Sequence, residues 1–250
     1  ISEIDGRLVF KGRSMQIDAK HGRTVGEPIH DVKVGIRDYH ESILTVHGKV
    51  DGDAGRMLAF LPQSPLREDF AGLTSNLELA GPAKLDLKLN IPLDNVDATT
   101  VFGIINLYQA EVGHELLPGR VQQVNGRLDF DVNGIRAKDI SAELGNLPVK
   151  ISLSPHVPAE GPKSSAGVTS DIDLKIDTQL QLPEQQDLLA AWMPLGLLNN
   201  MQGESEAEIR VLLDDDAGFK ALRVHTDLYG MALNLPAPFG KQVKDCLLYT

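Results

Sequence analysis

The chain has little of what disulfide frameworks, cysteine-rich metal modules and membrane spans require. It contains one cysteine in 250 residues, which excludes an internal disulfide framework and a cysteine-rich zinc module. Leu188–Leu198 is the most apolar stretch, but Pro194 and Gly196 interrupt it and it falls short of the ~18 apolar residues of a membrane span. The chain begins at Ile1 and shows no basic start followed by an apolar run. We therefore expect a soluble internal fragment of a longer protein.

Aromatic residues and positive charge are also scarce. Aromatics make up 5% of the chain, although 42% of its residues are hydrophobic, so the apolar content is mostly aliphatic. That content excludes an intrinsically disordered chain. Lysine and arginine number 24 against 35 acidic residues, a formal net charge of -11. The acidic balance argues against nucleic acid or an anionic membrane surface as the main partner, because both attract basic faces.

Apolar and polar residues alternate strictly over long stretches. In Asp171–Leu182 the apolar residues and Thr178 occupy one face, and Asp, Lys and Gln occupy the other. A period of two over this length predicts a strand with one apolar and one wet face. At about 3.3 Å per residue the strand would span on the order of 40 Å, about twice the usual length.

Further strands are predicted along most of the chain. Turn residues such as Asn133-Gly134 separate them, and no long helices intervene, which favours an antiparallel meander over βαβ units. We predict a mainly β protein with an elongated, curved antiparallel sheet, an open hydrophobic groove and short helices. Two helices are expected, at about Ala54–Leu61 and about Gln186–Leu198. The predicted strands are Gly6–Lys11, Met15–Ala19, Val32–Asp38, Ile43–Val50, Leu77–Ala80, Lys84–Ile91, Ile104–Val112, Val124–Val132, Ile135–Leu144, Val149–Leu153, Asp171–Leu182, Glu206–Leu213 and Leu222–Leu228.

The chain also repeats itself at a spacing of about 120 residues. The sequence GRLVF at Gly6–Phe10 returns as GRLDF at Gly126–Phe130, and Leu107-Tyr108 returns as Leu228-Tyr229. Gly81 and Gly203 open corresponding strands. Self-similarity in a constant order is typical of arrays that grow by stacking. We therefore predict two modules of one continuous sheet, residues 1–121 and 122–250.

Residue patterns typical of catalysis or metal binding are weak. No nucleophile elbow, phosphate-binding loop or dinucleotide fingerprint occurs in a supporting context. His40, Glu41 and His47 lack the helical spacing of metal ligands, so surface or turn histidines are the favoured interpretation. Asp51–Gly55 lacks the further ligands of a calcium loop. We expect no enzyme activity, no metal and no cofactor.

The aliphatic faces admit two interpretations. One is a β-sandwich or barrel core in which a second sheet covers each face. The other is a single extended sheet whose aliphatic face forms a trough, since a repeating sheet can grow without limit. An empty trough is costly at about 25 cal/mol per Å², and alkyl chains would fill it without aromatic stacking. On alternation alone, the candidate lining residues are Leu85, Leu87, Leu89, Ile91, Leu128, Phe130, Val132, Ile172, Leu174, Ile176, Leu180, Leu182, Ile209 and Val211.

Two segments carry a resemblance to a known family. VNGRLDFD at Val124–Asp131, followed by IRAKDISAELGNLPVKIS at Ile135–Ser152, resembles the YhdP-type members of the AsmA-like family of bridge-like lipid transport proteins. Leu228–Met231 with Leu235-Pro236 is similar to their repeat. The resemblance covers most of the chain, though its motifs are short and structural.

The resemblance implies a function that the residue patterns alone do not. It implies a periplasmic β-groove between the inner and outer membranes that carries phospholipid acyl chains and supports the outer-membrane permeability barrier. It also implies a parent protein anchored in the inner membrane, with other envelope proteins as further partners. No catalytic residue is carried over. The alternatives are an envelope β-sandwich that binds or hydrolyses carbohydrate, and a structural spacer whose own side chains fill the trough.

Overall fold

The described part of the chain forms one open antiparallel sheet. The computed structural model describes residues 2–24, 27–60, 76–114, 117, 119–156, 171–190, 193–213, 220–236 and 239–244. These residues build a sheet of 14 strands with a few short helices. The prediction of a mainly β, open antiparallel sheet is confirmed.

Most strands are long and follow one another closely in sequence. Eleven of the fourteen have nine residues or more, and most lie within one or two residues of their predicted bounds at one end or both. The strands are β1 Ser2–Lys11, β2 Ser14–Thr24, β3 Glu27–Ile36, β4 Ile43–Asp53, β5 Glu78–Ala80, β6 Pro82–Pro92, β7 Thr100–Gly113, β8 Val121–Asp131, β9 Gly134–Leu144, β10 Leu147–Pro155, β11 Ile172–Leu182, β12 Met201–Leu213, β13 Ala221–His225 and β14 Met231–Leu233.

The strands are arranged in the sheet in the order of the sequence. The path runs β1-β2-β3-β4-β6-β7-β8-β9-β10-β11-β12-β13, while β5 pairs with β7 and β14 pairs with β12. Tight turns make this order possible, since Gly12, Gly134 and Gly145 have the positive φ that such turns require. With a strand spacing of about 4.8 Å, the path extends on the order of 50 Å across the strands.

Three short helices lie at one edge of this arrangement. Helix α1 (Ala54–Phe60) follows β4, and α2 (Gln186–Leu189) and α3 (Leu195–Leu198) follow β11. The strands β6, β8, β10 and β12 begin at the edge where β4, β7, β9 and β11 end. We call this edge, with its helices, the helix rim. The opposite edge carries the turns between β1 and β2, β3 and β4, β6 and β7, and β8 and β9, and we call it the hairpin rim.

The second predicted helix is wrong in one respect. The sequence predicts one helix over about Gln186–Leu198 that ends around Pro194, but the chain forms α2 before Pro194 and a second helix, α3, after it. Pro194 is extended, with φ -60° and ψ 129°. A proline has no N–H to donate and disfavours helical geometry at the residue before it, so the helix restarts after Pro194. Trp192, and Leu61 of the first predicted helix, lie outside the described residues.

The last predicted strand, Leu222–Leu228, is too long. In the structure β13 ends at His225, and a separate short strand, β14, follows. The Thr226 hydroxyl accepts a hydrogen bond from the Leu228 N–H and also bonds the Ser205 hydroxyl. Such local side-chain bonds replace the strand ladder. Likewise Val132, predicted as the last residue of its strand, lies in the turn after β8.

Corresponding positions of the two predicted modules share backbone features. Glu3 and Gln123 both have positive φ, 54° and 52°. Gly81 and Gly203 both have positive φ, 104° and 110°. A Cβ on Gly81 would touch the fully buried Ala110, and a Cβ on Gly203 would touch the fully buried Met231. These pairs agree with the repeat of about 120 residues, while the division into residues 1–121 and 122–250 stays a prediction.

Candidate functional site

One face of the sheet carries an unbroken row of aliphatic side chains. Directly opposed Cα atoms on neighbouring strands place their side chains on the same face. Such pairs link β3 through to β13 without interruption. The row is Ile29, Val50, Leu85, Ile105, Leu128, Ala137, Leu153, Leu174, Val211 and Leu222. We call this side of the sheet the aliphatic face and the other the polar face.

A second row continues the aliphatic face to the first strand. Leu8 of β1 opposes Ile17, which opposes Val34, and the row continues through Val46 and Leu89 to Val101 of β7. The aliphatic face therefore extends over all twelve strands of the path.

The sequence-predicted lining residues meet on this one face. Thirteen lie in strands whose register puts them there, and Val132 packs from its turn against Phe130 of the same face. Their role in contacting lipid stays a prediction. Those in strands are Leu85, Leu87, Leu89, Ile91, Leu128, Phe130, Ile172, Leu174, Ile176, Leu180, Leu182, Ile209 and Val211.

Sequence reasoning left out much of the same surface. Strands β1–β4 contribute Leu8, Ile17, Val34 and Val46, and β7, β9 and β10 contribute further members. The signal was present, because Gly6–Lys11 and Ile43–Val50 alternate as well. The alternation shows that each strand has an apolar face, but it does not show that all of these faces lie on one side of one sheet.

The aliphatic face is covered at the helix rim. Leu147 and Leu198 are each 1% exposed and Met231 is fully buried. Leu189 of α2 and Leu198 of α3 belong to the same buried cluster as Leu180 and Leu182 of β11. Side chains of the protein itself therefore fill this end of the face.

Along the middle of the sheet the aliphatic face is buried at Val101, Phe130 and Ile209 and half-buried at many other positions. Leu85, Leu87, Leu128, Leu174 and Val211 all keep part of their surface in contact with solvent. Among the described elements, each strand packs mainly against the strands beside it, and no second sheet lies over this band. The sandwich interpretation therefore does not hold for the described residues. A contiguous exposed apolar surface of this kind marks a site of interaction.

The polar groups on the aliphatic face have partners within the protein. The Thr178 hydroxyl donates to the Pro148 carbonyl at 2.8 Å, and the buried Ser205 hydroxyl lies 3.0 Å from that of Thr226. No buried side-chain nitrogen or oxygen among the described residues lacks a hydrogen-bond partner. The face therefore offers a ligand apolar contact rather than polar recognition.

The polar face carries ion pairs within strands and between neighbouring strands. The Lys175 ammonium lies 3.1 Å from the Glu208 carboxylate and 3.0 Å from that of Asp177. The Arg210 guanidinium donates to Glu208 at 2.7 Å. The bonds from Arg210 and Lys175 lower the pKa of Glu208, and those to Asp177 and Glu208 raise the pKa of Lys175. These groups keep one side of a long open sheet hydrated.

An open depression of about 860 Å³ lies on the polar face across β8–β13. Its walls include Asn125 of β8, Lys150 of β10, Asp177 of β11, Glu208 of β12 and His225 of β13. The charged walls do not suit an alkyl chain, so this depression is distinct from the aliphatic face.

Groupings typical of metal or catalytic sites do not occur in the described ranges. No cluster of three or more His, Cys, Asp or Glu residues is placed to hold a metal ion there. His47 instead bonds Asp86 at 2.8 Å, and His40 lies 3.6 Å from Asp38. Cys246 falls outside the described residues. None of the helices in the described ranges has the length and apolar character that crossing a membrane demands.

Comparison with known proteins supplies the family. Neither the curated proteins nor the solved structures contain a match to this chain. The family model described as YhdP protein matches residues 1–247, nearly the whole chain. This match agrees with the motifs at Val124–Asp131 and Ile135–Ser152, which form β8, β9 and β10 at the centre of the sheet. The chain belongs to the YhdP family.

Proposed function

We propose that this chain is a segment of a periplasmic lipid-transport bridge, and that its aliphatic face conducts phospholipid acyl chains between the inner and outer membranes. The observation that carries the proposal is the unbroken aliphatic row from β3 to β13. Membership of the YhdP family supports it. Through this passage of lipid the protein would maintain the outer-membrane permeability barrier.

The physical argument starts from the half-buried band. Each exposed Å² of apolar surface costs about 25 cal/mol, so a continuous band costs many kcal/mol unless something covers it. An alkyl chain covers such a band completely and needs no hydrogen bonds. Leu85, Leu128 and Leu174 lie on three different strands of one row, so a chain could pass from strand to strand without meeting a charge.

The same arrangement favours binding over catalysis. Lipid transport requires a surface that binds an acyl chain weakly, and to a similar degree at every position along its length. The aliphatic face repeats similar side chains over on the order of 50 Å. The acyl chains would lie on this face while their headgroups remain in water. In the proposed setting the chain belongs to a longer protein anchored in the inner membrane, and other envelope proteins are its further partners.

One observation favours the structural spacer as a second candidate. At the helix rim the protein's own residues, Leu189 and Leu198, already bury the aliphatic face. A spacer would be covered in the same way along its whole length. The half-buried Leu87 and Leu174 distinguish the two functions, because a spacer would leave no room for lipid beside them.

Photo-crosslinking in cells tests the proposal. A photoreactive residue replaces Leu87 or Leu174 in the full-length protein, and the matched controls replace Lys88 or Lys175, the next residue on the polar face of the same strand. We expect phospholipid adducts, identified by mass spectrometry, at both leucine positions and several-fold fewer at both lysine positions. Equal labelling of the two faces, or no adducts at either leucine, would contradict lipid conduction.

A further inference from the structure

A second open depression lies on the polar face beside the hairpin rim. It has a volume of about 540 Å³ and crosses β2, β3, β4 and β6, which are neighbours in the sheet. Its walls are residues 14–16, 33–37, 45–47 and 88–90, and each of these segments begins and ends with a residue of the polar face. A depression of this size can hold a small ligand.

Among the described residues, the lining of this depression holds cations and no carboxylate. Lys33, His47 and Lys88 are directly opposed on β3, β4 and β6, so they lie side by side in one row. Arg37 follows the end of β3 at the hairpin rim.

The cations of the lining differ from other lysines of the polar face. Lys49 and Lys84 lie 3.4 and 3.5 Å from aspartate carboxylates. Lys33, Arg37 and Lys88 form no ion pair with any residue that the structure describes. In a chain with 24 basic and 35 acidic residues, three unpaired cations around one depression reverse the charge locally.

Gly35 forms the floor of the depression. It lies between Gln16 and Thr45 in the register, inside β3, and a glycine at such a position often marks the close approach of a ligand. The side-chain amides of Gln16 and Asn90 each donate one N–H within the sheet, to Asp18 at 2.7 Å and to Thr100 at 3.2 Å. Each amide has a second N–H. The depression therefore combines positive charge, open space and N–H donors.

We propose that this depression binds a phosphate group of a small ligand. A phosphate offers more oxygens than a carboxylate, and it accepts hydrogen bonds from lysine and arginine side chains at the same time. The backbones of Lys33 and Lys88 are two strand spacings apart, about 10 Å. Their long side chains can therefore meet on one phosphate beside Gly35, with Arg37 on the side of the hairpin rim. The site lies on the polar face, so its test is independent of lipid conduction on the aliphatic face.

Isothermal titration calorimetry of the purified protein with inorganic pyrophosphate tests the site. We expect saturable binding at low salt that weakens as the salt concentration rises. Lys33→Gln and Lys88→Gln should each weaken the binding about threefold to fivefold, because each removes one exposed charge. Lys84→Gln is the matched control, because Lys84 lies on the same strand and face as Lys88 but outside the depression. This variant should keep the wild-type affinity.

A variant that strengthens the binding keeps the test independent of folding losses. Asp18 lies directly opposite Lys33 on β2, so Asp18→Asn removes a negative charge beside the site and should tighten the binding about twofold. Absence of pyrophosphate binding by the wild-type protein would overturn the proposal. Equal losses in Lys84→Gln and Lys88→Gln would also overturn it, because the binding would then follow net charge. Circular dichroism checks that each variant is folded.

A flotation assay with phosphatidylglycerol vesicles separates two sources of the phosphate group. We expect pyrophosphate binding without flotation, which assigns a soluble ligand, because the net charge of -11 opposes approach to an anionic surface. Flotation that Lys33→Gln and Lys88→Gln both reduce would assign the same site to a lipid headgroup. Flotation that persists in both variants, without pyrophosphate binding, would contradict a phosphate site in this depression.

Discussion

Gly103 and Phe130 form a cross-strand pair in which the missing side chain of the glycine leaves room for the aromatic ring. They are directly opposed on β7 and β8. A Cβ built on Gly103 would come within 2.1 Å of the Phe130 ring, so the ring occupies the space above the glycine. Phe130 is 9% exposed, and Leu85, Leu87 and Leu89 pack around it. An aromatic ring over a cross-strand glycine supplies the contact that the glycine itself lacks.

Gly103→Ala is therefore expected to destabilise the protein by about 1–3 kcal/mol, because the methyl group forces the Phe130 ring away. Urea denaturation measures the loss. The double variant Gly103→Ala/Phe130→Leu should recover part of it, since the smaller side chain makes room. Gly196→Ala is the control, because a Cβ there meets nothing within 4 Å. Equal effects of the two glycine variants would show that the ring is not fixed in this position.

At the scale of elements, the short helices divide the aliphatic face into a covered and an accessible part. Strand β11 shows both, since Leu180 and Leu182 are each 6% exposed under the helix rim while Leu174 and Ile176 are half-buried. All four have the same place in the alternation. At the helix rim the helices bury Leu180 and Leu182. Ile172, at the opposite end of the same face of β11, is also only 5% exposed, so the alternation alone does not set the burial of a position.

Two aspartate substitutions in β11 test the difference between the covered and the accessible part of the aliphatic face. Leu180→Asp should lower the free energy of unfolding by about 3–5 kcal/mol, because it buries an unpaired carboxylate. Leu174→Asp should cost less, about 1–2 kcal/mol, because its carboxylate can reach water. Chemical denaturation of the two variants makes the comparison. If Leu174→Asp were as damaging as Leu180→Asp, the middle of the face would be closed and could not receive an alkyl chain.

At the scale of the whole molecule, the sheet is nearly one-dimensional. Its strands follow sequence order, and each packs mainly against the strands before and after it. In such a molecule stability is close to a sum of local terms and nearest-neighbour terms. A destabilising substitution in one strand should therefore weaken the neighbouring strands without unfolding the strands at the far end of the sheet.

Val149→Ala provides the test, because Val149 of β10 is only 6% exposed. The lost methyl groups should cost about 1–3 kcal/mol. Native-state hydrogen exchange should show lower protection in β9, β10 and β11 and unchanged protection in β1, β2 and β3. An equal loss of protection in all strands would mean that the sheet unfolds as a single cooperative unit.

Much of the fold could be predicted from the sequence because its main signal is local. The alternation in Asp171–Leu182 predicted β11 to within one residue, and Asn133-Gly134 predicted the turn between β8 and β9. The predicted bounds were wrong where a proline, or a contact between residues far apart in the chain, determines where an element ends. Pro194 splits the second helix, and the bond between Thr226 and Ser205 ends β13 early. The strand pattern alone carries no sign of the second contact.

The sequence by itself determined that this protein is a sheet and which residues of each strand share a face, because side chains alternate with a period of two along any strand. It also contained the repeat and the motifs of the family. Only the tertiary structure decided that the separate apolar faces form one row from strand to strand. It alone decided, too, where that row is covered by the helices and where it remains accessible. The reason is that register and cover depend on contacts between residues far apart in the chain, which no local pattern records.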